Sequence, residues 1–174
     1  MVALVGKQIA ALTVGHMEVL STVQLAAIEE ADIPSLTPEQ LNTLSTSQVS
    51  GLRVEQIAVL TGKQINQLGV DQFSAFGSDK IVALTEKQFQ YLNTDQLSSL
   101  SSTQTTAIDV QDLAVLNGHQ ISAIQPDQVA LLSNEQIAGM RRAQFTGMAL
   151  EQVAALTTGQ IASIETADIT GLSV

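Results

Sequence analysis

The sequence has no cysteine and no tryptophan, and only one tyrosine, four phenylalanines and three prolines in 174 residues. Without cysteine there is no disulfide framework and no thiolate chemistry, and the redox compartment stays open. Positive charge is scarce: seven basic residues against seventeen acidic ones give a formal net charge of -10. That balance argues against nucleic acid as a partner, since such binding needs a basic stripe, and against an anionic membrane surface. No stretch approaches the roughly 18 consecutive apolar residues of a membrane span. Gln, Ser, Thr, Ala, Leu and Ile fill most of the chain, with 45% hydrophobic and 14% charged residues. Usage this narrow marks either disorder or a repeat.

A fixed period decides for the repeat. Stepping from Gln64 by eight residues in both directions gives 21 octads with no insertion or deletion, and 16 of the marks are glutamine. We letter the eight positions a to h, with the glutamine at a. Position e is apolar in all 21 octads and position b in 20, Thr105 being the exception. Apolar spacing of three then five is not the alternation of a strand. Nor is it a long helix, because eight residues at about 100° each would rotate the apolar stripe by about 80° per octad. The chain must therefore bend once per octad.

The bend lies at f, where most octads carry Ser, Thr, Asn, Asp or Gly, the residues that cap helix N-termini. The glutamine at a follows three residues later, the spacing of a capping box. The expected capping residues are Thr13, Thr37, Thr61, Thr85, Ser133 and Thr157 at f, with Gln40, Gln64, Gln136 and Gln160 at a. Pro38 and Pro126 stand at g, the first helical position, where proline is best tolerated. Acids at h, such as Glu39, Glu55 and Asp71, suit the positive end of a helix dipole. Each octad thus predicts one short helical segment from f to near e. Pro34, at c, should delete one helical hydrogen bond in its octad.

A longer period appears when octads are sorted by threes. In the third class, position d is always small: Ala27, Gly51, Ala75, Ser99, Ala123, Gly147, Gly171. In the second class it is larger and mixed: Val19, Thr43, Gln67, Tyr91, Val115, Gly139, Ser163. Columns that agree at 24 residues but differ at eight predict stacking every third octad. The expected fold is all-α: a single solenoid over residues 1–174, with three short helices per 24-residue coil and about seven coils in a linear stack. At about 8–10 Å per helix layer the rod would be roughly 55–70 Å long. The small third-class column should let helices approach closely. One coil cannot stand alone, so stacking must hold it.

Reactive constellations are missing. His16 and His119 lie about thirteen octads apart along such a stack, and no Ser/His/Asp order or phosphate loop is present. Glu29-Glu30-x-Asp32 is the densest acidic cluster, and Arg141-Arg142 the only basic pair. Lys63, Lys80 and Lys87 form a loose group. No catalytic residue, cofactor or metal site is expected, and the protein reads as a non-enzyme. Phe73, Phe76, Phe89 and Phe145 fall on b or e and read as core. Tyr91, with Gln67 in the same column, is the candidate contact for a protein partner. The glutamine column itself reads as a set of caps, or as a ladder of stacked amides.

The unit Leu60-Thr61-Gly62-Lys63-Gln64-Ile65-Asn66-Gln67-Leu68 resembles the octapeptide "LTTxQIxxL" arrays of large, poorly characterised bacterial proteins, over the whole chain. That resemblance implies architecture and a secreted or surface-attached origin rather than an activity. Leu36-Thr37-Pro38-Glu39-Gln40-Leu41 looks like the opening of a TAL-effector repeat, but the 34-residue period and base-reading pair of those repeats are missing. The expected function is a structural spacer or scaffold segment; the alternative is a protein- or peptide-binding solenoid. The array starts in phase at Val2 and ends in phase at Leu172-Ser173-Val174 without polar caps. Such ends read as a fragment of a longer array and predict end-to-end self-association.

Overall fold

The computed structural model describes residues 6–172. Met1–Val5 and Ser173–Val174 lie outside the described residues, and so do the array ends on which the expectation of self-association rests. Among the described residues there are nineteen α-helices and two 3-10 helices of four to six residues each, one per octad, and no strand.

Each helix is short because its octad carries both a start and a stop. Position f is extended, as at Thr61 (φ -68°, ψ 154°). The preceding e residue is extended too, as at Leu68 (φ -60°, ψ 130°), and its N–H closes the helix onto the b carbonyl, here Ile65 at 3.2 Å. Two consecutive extended residues turn the chain between helices. Among the described residues none has a positive φ, so glycine is not required at the turn and ordinary side chains can occupy it. Pro38 and Pro126 open their helices as expected. The octad of Pro34 is a 3-10 helix, Glu30–Ser35. Proline removes the N–H that an α-helical bond would use there.

The chain forms two compact units, residues 1–91 and 92–174. Within the first, helices pack three octads apart. Val14–Val19 lies against Pro38–Thr43, that helix against Gly62–Gln67, and that one against Glu86–Phe89. The other two columns follow the same rule, for example Thr22–Ala26 on Thr46–Ser50 on Val70–Ser74. Within the second unit, Thr94–Ser98 packs on Gly118–Ala123, then Arg142–Gly147, then the 3-10 helix Ile169–Leu172. Each unit is thus a solenoid of short helices with a 24-residue coil, and three columns make its three sides.

The b and e side chains fill the inside. Ile57, Ile65, Phe73 and Leu97 are fully buried, and Leu60, Leu68 and Phe76 nearly so. Burying such residues is what stabilises a coil whose short helices share no backbone ladder with their neighbours. The phenylalanines at b and e are all core, and Phe73 and Phe76 pack with ring centroids 5.4 Å apart.

The small third-class column is where backbones meet. A Cβ on Gly118 would stand 2.9 Å from Ala143 O and 3.1 Å from Gly147 Cα. A Cβ on Gly51 would stand 2.7 Å from Thr22 Cβ. Position d therefore meets position g of the octad beneath it, 29 residues earlier. The same pairing seats the Tyr91 ring over Gly62, where any Cβ would collide with Tyr91 Cδ2, and sets Gly139 against Val110. At Tyr91–Gly62 and Val110–Gly139 a larger residue faces a glycine, while at Gly118–Gly147 two glycines let the backbones touch.

Candidate functional site, the glutamine column

The regular feature with the most polar chemistry is the column at a. Its first duty is local. Thr61 Oγ1 accepts from Gln64 N at 3.2 Å, and Thr61 N donates to Gln64 Oε1 at 2.8 Å. The same reciprocal pair joins Thr37 with Gln40, Thr85 with Gln88, Ser133 with Gln136 and Thr157 with Gln160. At Thr13 the partner is His16, whose Nδ1 accepts from Thr13 N at 3.2 Å. Where f carries no capping oxygen, the glutamine still does its half: Gly69 N donates to Gln72 Oε1 at 2.9 Å, and Ala149 N to Gln152 Oε1 at 2.8 Å.

The second duty is long-range. Gln64 Nε2 donates to Ile33 O at 3.1 Å and to Leu36 O at 2.8 Å, 31 and 28 residues earlier. Gln40 does the same to Ile9 O and Leu12 O, Gln48 to Met17 O and Leu20 O, and Gln88 to Ile57 O and Leu60 O. In the second unit, Gln152 reaches Ile121 O and Ile124 O, while Gln160 reaches Val129 O and Leu132 O. Gln136 donates to Ile108 O at 2.6 Å. The acceptors are the b and e carbonyls at the C-terminal end of a helix: the b carbonyl already accepts from the e N–H, as Ile33 O does from Leu36 N at 3.1 Å, and takes the amide as a second donor, while the e carbonyl lies past the helix end. One amide therefore caps the start of its own helix and the end of another, four octads back.

Burial follows from this. Gln40, Gln64, Gln136 and Gln160 are between 1% and 6% exposed. A buried amide is tolerable because all its hydrogen-bonding groups are used. The spacing predicts a cap, or a ladder of stacked amides. The cap is present, and the other half of the amide bonds backbone carbonyls of an earlier coil. The sequence carries no sign of those acceptors, because every residue has a carbonyl.

Arg53 adds a variation at f. Its Nε donates to Ala26 O at 3.0 Å, and its guanidinium pairs with Glu30 at 3.2 Å. Glu30, from the acidic cluster at 29–32, is thus part of an exposed ion pair. Lys80, the one lysine at a, is buried, with Nζ 3.9 Å from Asp79 Oδ2. Asp168 at a accepts from Arg142 N at 2.7 Å and so caps the helix Arg142–Gly147. Glu135 is exposed, and its carboxyl is held below the usual carboxylate range by its own backbone N–H and by the Ser133 hydroxyl. Hydroxyls of the third-class c column bond back into their own helices, as Ser122 Oγ does to His119 O at 2.8 Å.

One site breaks the pattern. Thr105, the polar b residue, is fully buried and donates to Gln128 Oε1 at 3.0 Å. Gln128 Nε2 turns to Asp127 Oδ2 at 3.2 Å instead of a carbonyl of the coil before.

The contact candidates lie on the second-class face of the first unit. Tyr91 is 41% exposed, and Asn66 Nδ2 donates to its carbonyl at 2.8 Å. Two clefts of about 400 and 410 Å³ flank Tyr91, both lined also by Lys63. Gln67 lines the second of these and a further cleft of about 500 Å³. Lys87 lines the first, so Lys63 and Lys87 share a wall of that cleft while Lys80 is buried elsewhere. Among the described residues no three His, Asp or Glu side chains are grouped to hold a metal ion, and no helix is long and apolar enough to cross a membrane.

A family model, the ALTTAQ repeat, matches residues 25–62. The stretch includes Thr37, Gln40, Gln48 and Thr61, whose side chains or backbone groups make the bonds just described. No curated protein matches the chain. Together the matched stretch and the repetitive all-helical architecture describe a tandem-repeat protein.

Proposed function

We propose that this protein is a non-catalytic structural segment, a spacer or scaffold, of the kind built from LTTxQIxxL-like octapeptide arrays in larger bacterial proteins. The observation that carries this reading is the glutamine column. Apart from Gln128, the buried amides whose bonds are given above are spent on backbone groups of their own and an earlier octad, and so build the coil. A polar group with every partner satisfied inside the fold is a structural element.

A spacer is modular at the level of its coil. Duplicating residues 38–61 inserts one coil in register with both a and e columns. The expected outcome is a longer protein with proportionally more helical circular dichroism and one cooperative melt. Duplicating only residues 54–61 shifts every later octad to another side and should lower the melting temperature. Equal tolerance of both insertions, or collapse with the 24-residue one, would remove the coil as the functional module.

A further inference from the structure

We propose that the Tyr91 face of the first unit docks an extended acidic peptide in the polyproline II conformation, with carboxylates three residues apart. This goes beyond a passive spacer.

Three observations meet there. Tyr91 is a half-exposed ring with a cleft on each side, and Gly62 provides its seat. Lys63 and Lys87 border the first cleft, and among the described residues neither makes an ion pair, whereas Arg53 and Lys80 do. The two lysines hold the same repeat position 24 residues apart, on the packed helices Gly62–Gln67 and Glu86–Phe89.

The spacing selects the ligand. Helices packed in one column stand roughly 8–10 Å apart. A polyproline II chain returns to the same edge every three residues after about 9 Å. A β-strand does not fit as well, because residues three apart point to opposite faces. Two acidic side chains at that interval can therefore meet Lys63 and Lys87, with a proline ring between them against Tyr91. Aromatic-lined clefts suit such preformed segments, which lose little entropy on binding. Charge decides where on the protein the peptide goes: the chain carries -10 overall, so an anionic peptide is repelled from the general surface and attracted to this pair of ammonium groups.

The protein supplies its own reporter. Tyr91 is the sole tyrosine and there is no tryptophan, so intrinsic emission reads this site alone. Titration with a peptide of three Glu-Pro-Ala repeats should give a saturable change in that emission. The Lys63→Glu/Lys87→Glu double variant should weaken binding on the order of tenfold, since exposed pairs are lost and repulsions gained. A Gln-Pro-Ala peptide should bind more weakly, and added salt should weaken the acidic one. Both lysines project from the surface, so circular dichroism of the double variant should match the parent. The Tyr91→Ala variant, read by anisotropy of a labelled peptide, should also bind more weakly. No saturable change at millimolar peptide, equal binding by the double variant, or equal binding of a single-stranded oligonucleotide of the same charge would each overturn the proposal.

Discussion

The octads of Gln64 and Gln128 have the same glutamine at the same repeat position, and only one of them makes the clip. Gln64 accepts from Thr61 N–H and donates to two carbonyls of an earlier coil. Gln128 follows Gln125, which makes no side-chain cap, and its oxygen is taken by Thr105 from below. Its helix, Pro126–Val129, is four residues long, against six for Gly62–Gln67. The clip therefore depends on its neighbours: an apolar b residue three octads earlier leaves the amide oxygen to the cap, and a hydroxyl there diverts it.

The largest expected effect is at Gln64. Gln64→Ala removes two accepted hydrogen bonds, from Thr61 N and Thr61 Oγ1, and two donated ones at a buried site, and should cost about 3 kcal/mol in urea unfolding. Gln128→Ala, lacking the clip, should cost about 1–2 kcal/mol. Equal losses would show that the clip is not what separates the two sites. Gln64→Glu keeps the shape but aims a carboxylate at two carbonyls. Its destabilisation should be greatest at neutral pH and shrink as the carboxyl protonates below its raised folded-state value, because the acid form can donate again.

The next effect asks what else holds coil on coil. Gly147→Ala drives a methyl into the Gly118 backbone, which cannot move aside, and should cost about 2 kcal/mol. Gly62→Ala meets only the Tyr91 ring, an exposed side chain that can swing away, so about 1 kcal/mol or less is expected. Thermal melts of both would rank backbone contact against side-chain contact.

Thr61→Ala keeps the clip and deletes only the hydroxyl half of the cap, for an expected loss of about 1 kcal/mol. A loss as large as that of Gln64→Ala would mean that the hydroxyl positions the amide. Thr105→Val should cost about 1 kcal/mol or less, since the Gln128 amide oxygen that loses the hydroxyl can turn to the Gln125 N–H at the start of its own helix. It should also free Gln128 for Leu97 O and Leu100 O. Amide exchange or a crystal structure that leaves Gln128 on Asp127 would show that Thr105 is not the cause.

The smallest effect concerns Glu135, whose folded-state carboxyl titrates lower than in the unfolded chain. Its contribution is present above the unfolded-state value and is lost as pH falls through the folded-state one. Ser133→Ala should raise its titration midpoint by NMR, with its own backbone N–H still holding part of the shift.

Much of this was legible in the residues. Thr61 and Gln64 announce a helix start because capping is local and its spacing is fixed. Ile65 and Leu68 announce the core because burial selects apolar side chains at a period. Ala27, Gly51 and Gly147 announce the close side because only small residues fit there. The match of Tyr91 with Gly62 was visible in principle as a large residue 29 positions after a glycine, but the rule linking d to g needed the packing first. Lys80 at a gave no sign that it would be buried, since lysine is mostly a surface residue.

The sequence by itself determined the octad, its helix, the inward face and the 24-residue coil, because each is written in side chains at fixed intervals. The tertiary structure decided where the glutamine amide sends its hydrogens and which glutamine fails to send them. Those acceptors are backbone carbonyls, identical at every residue, and only the stacking of one coil on another brings particular ones within reach.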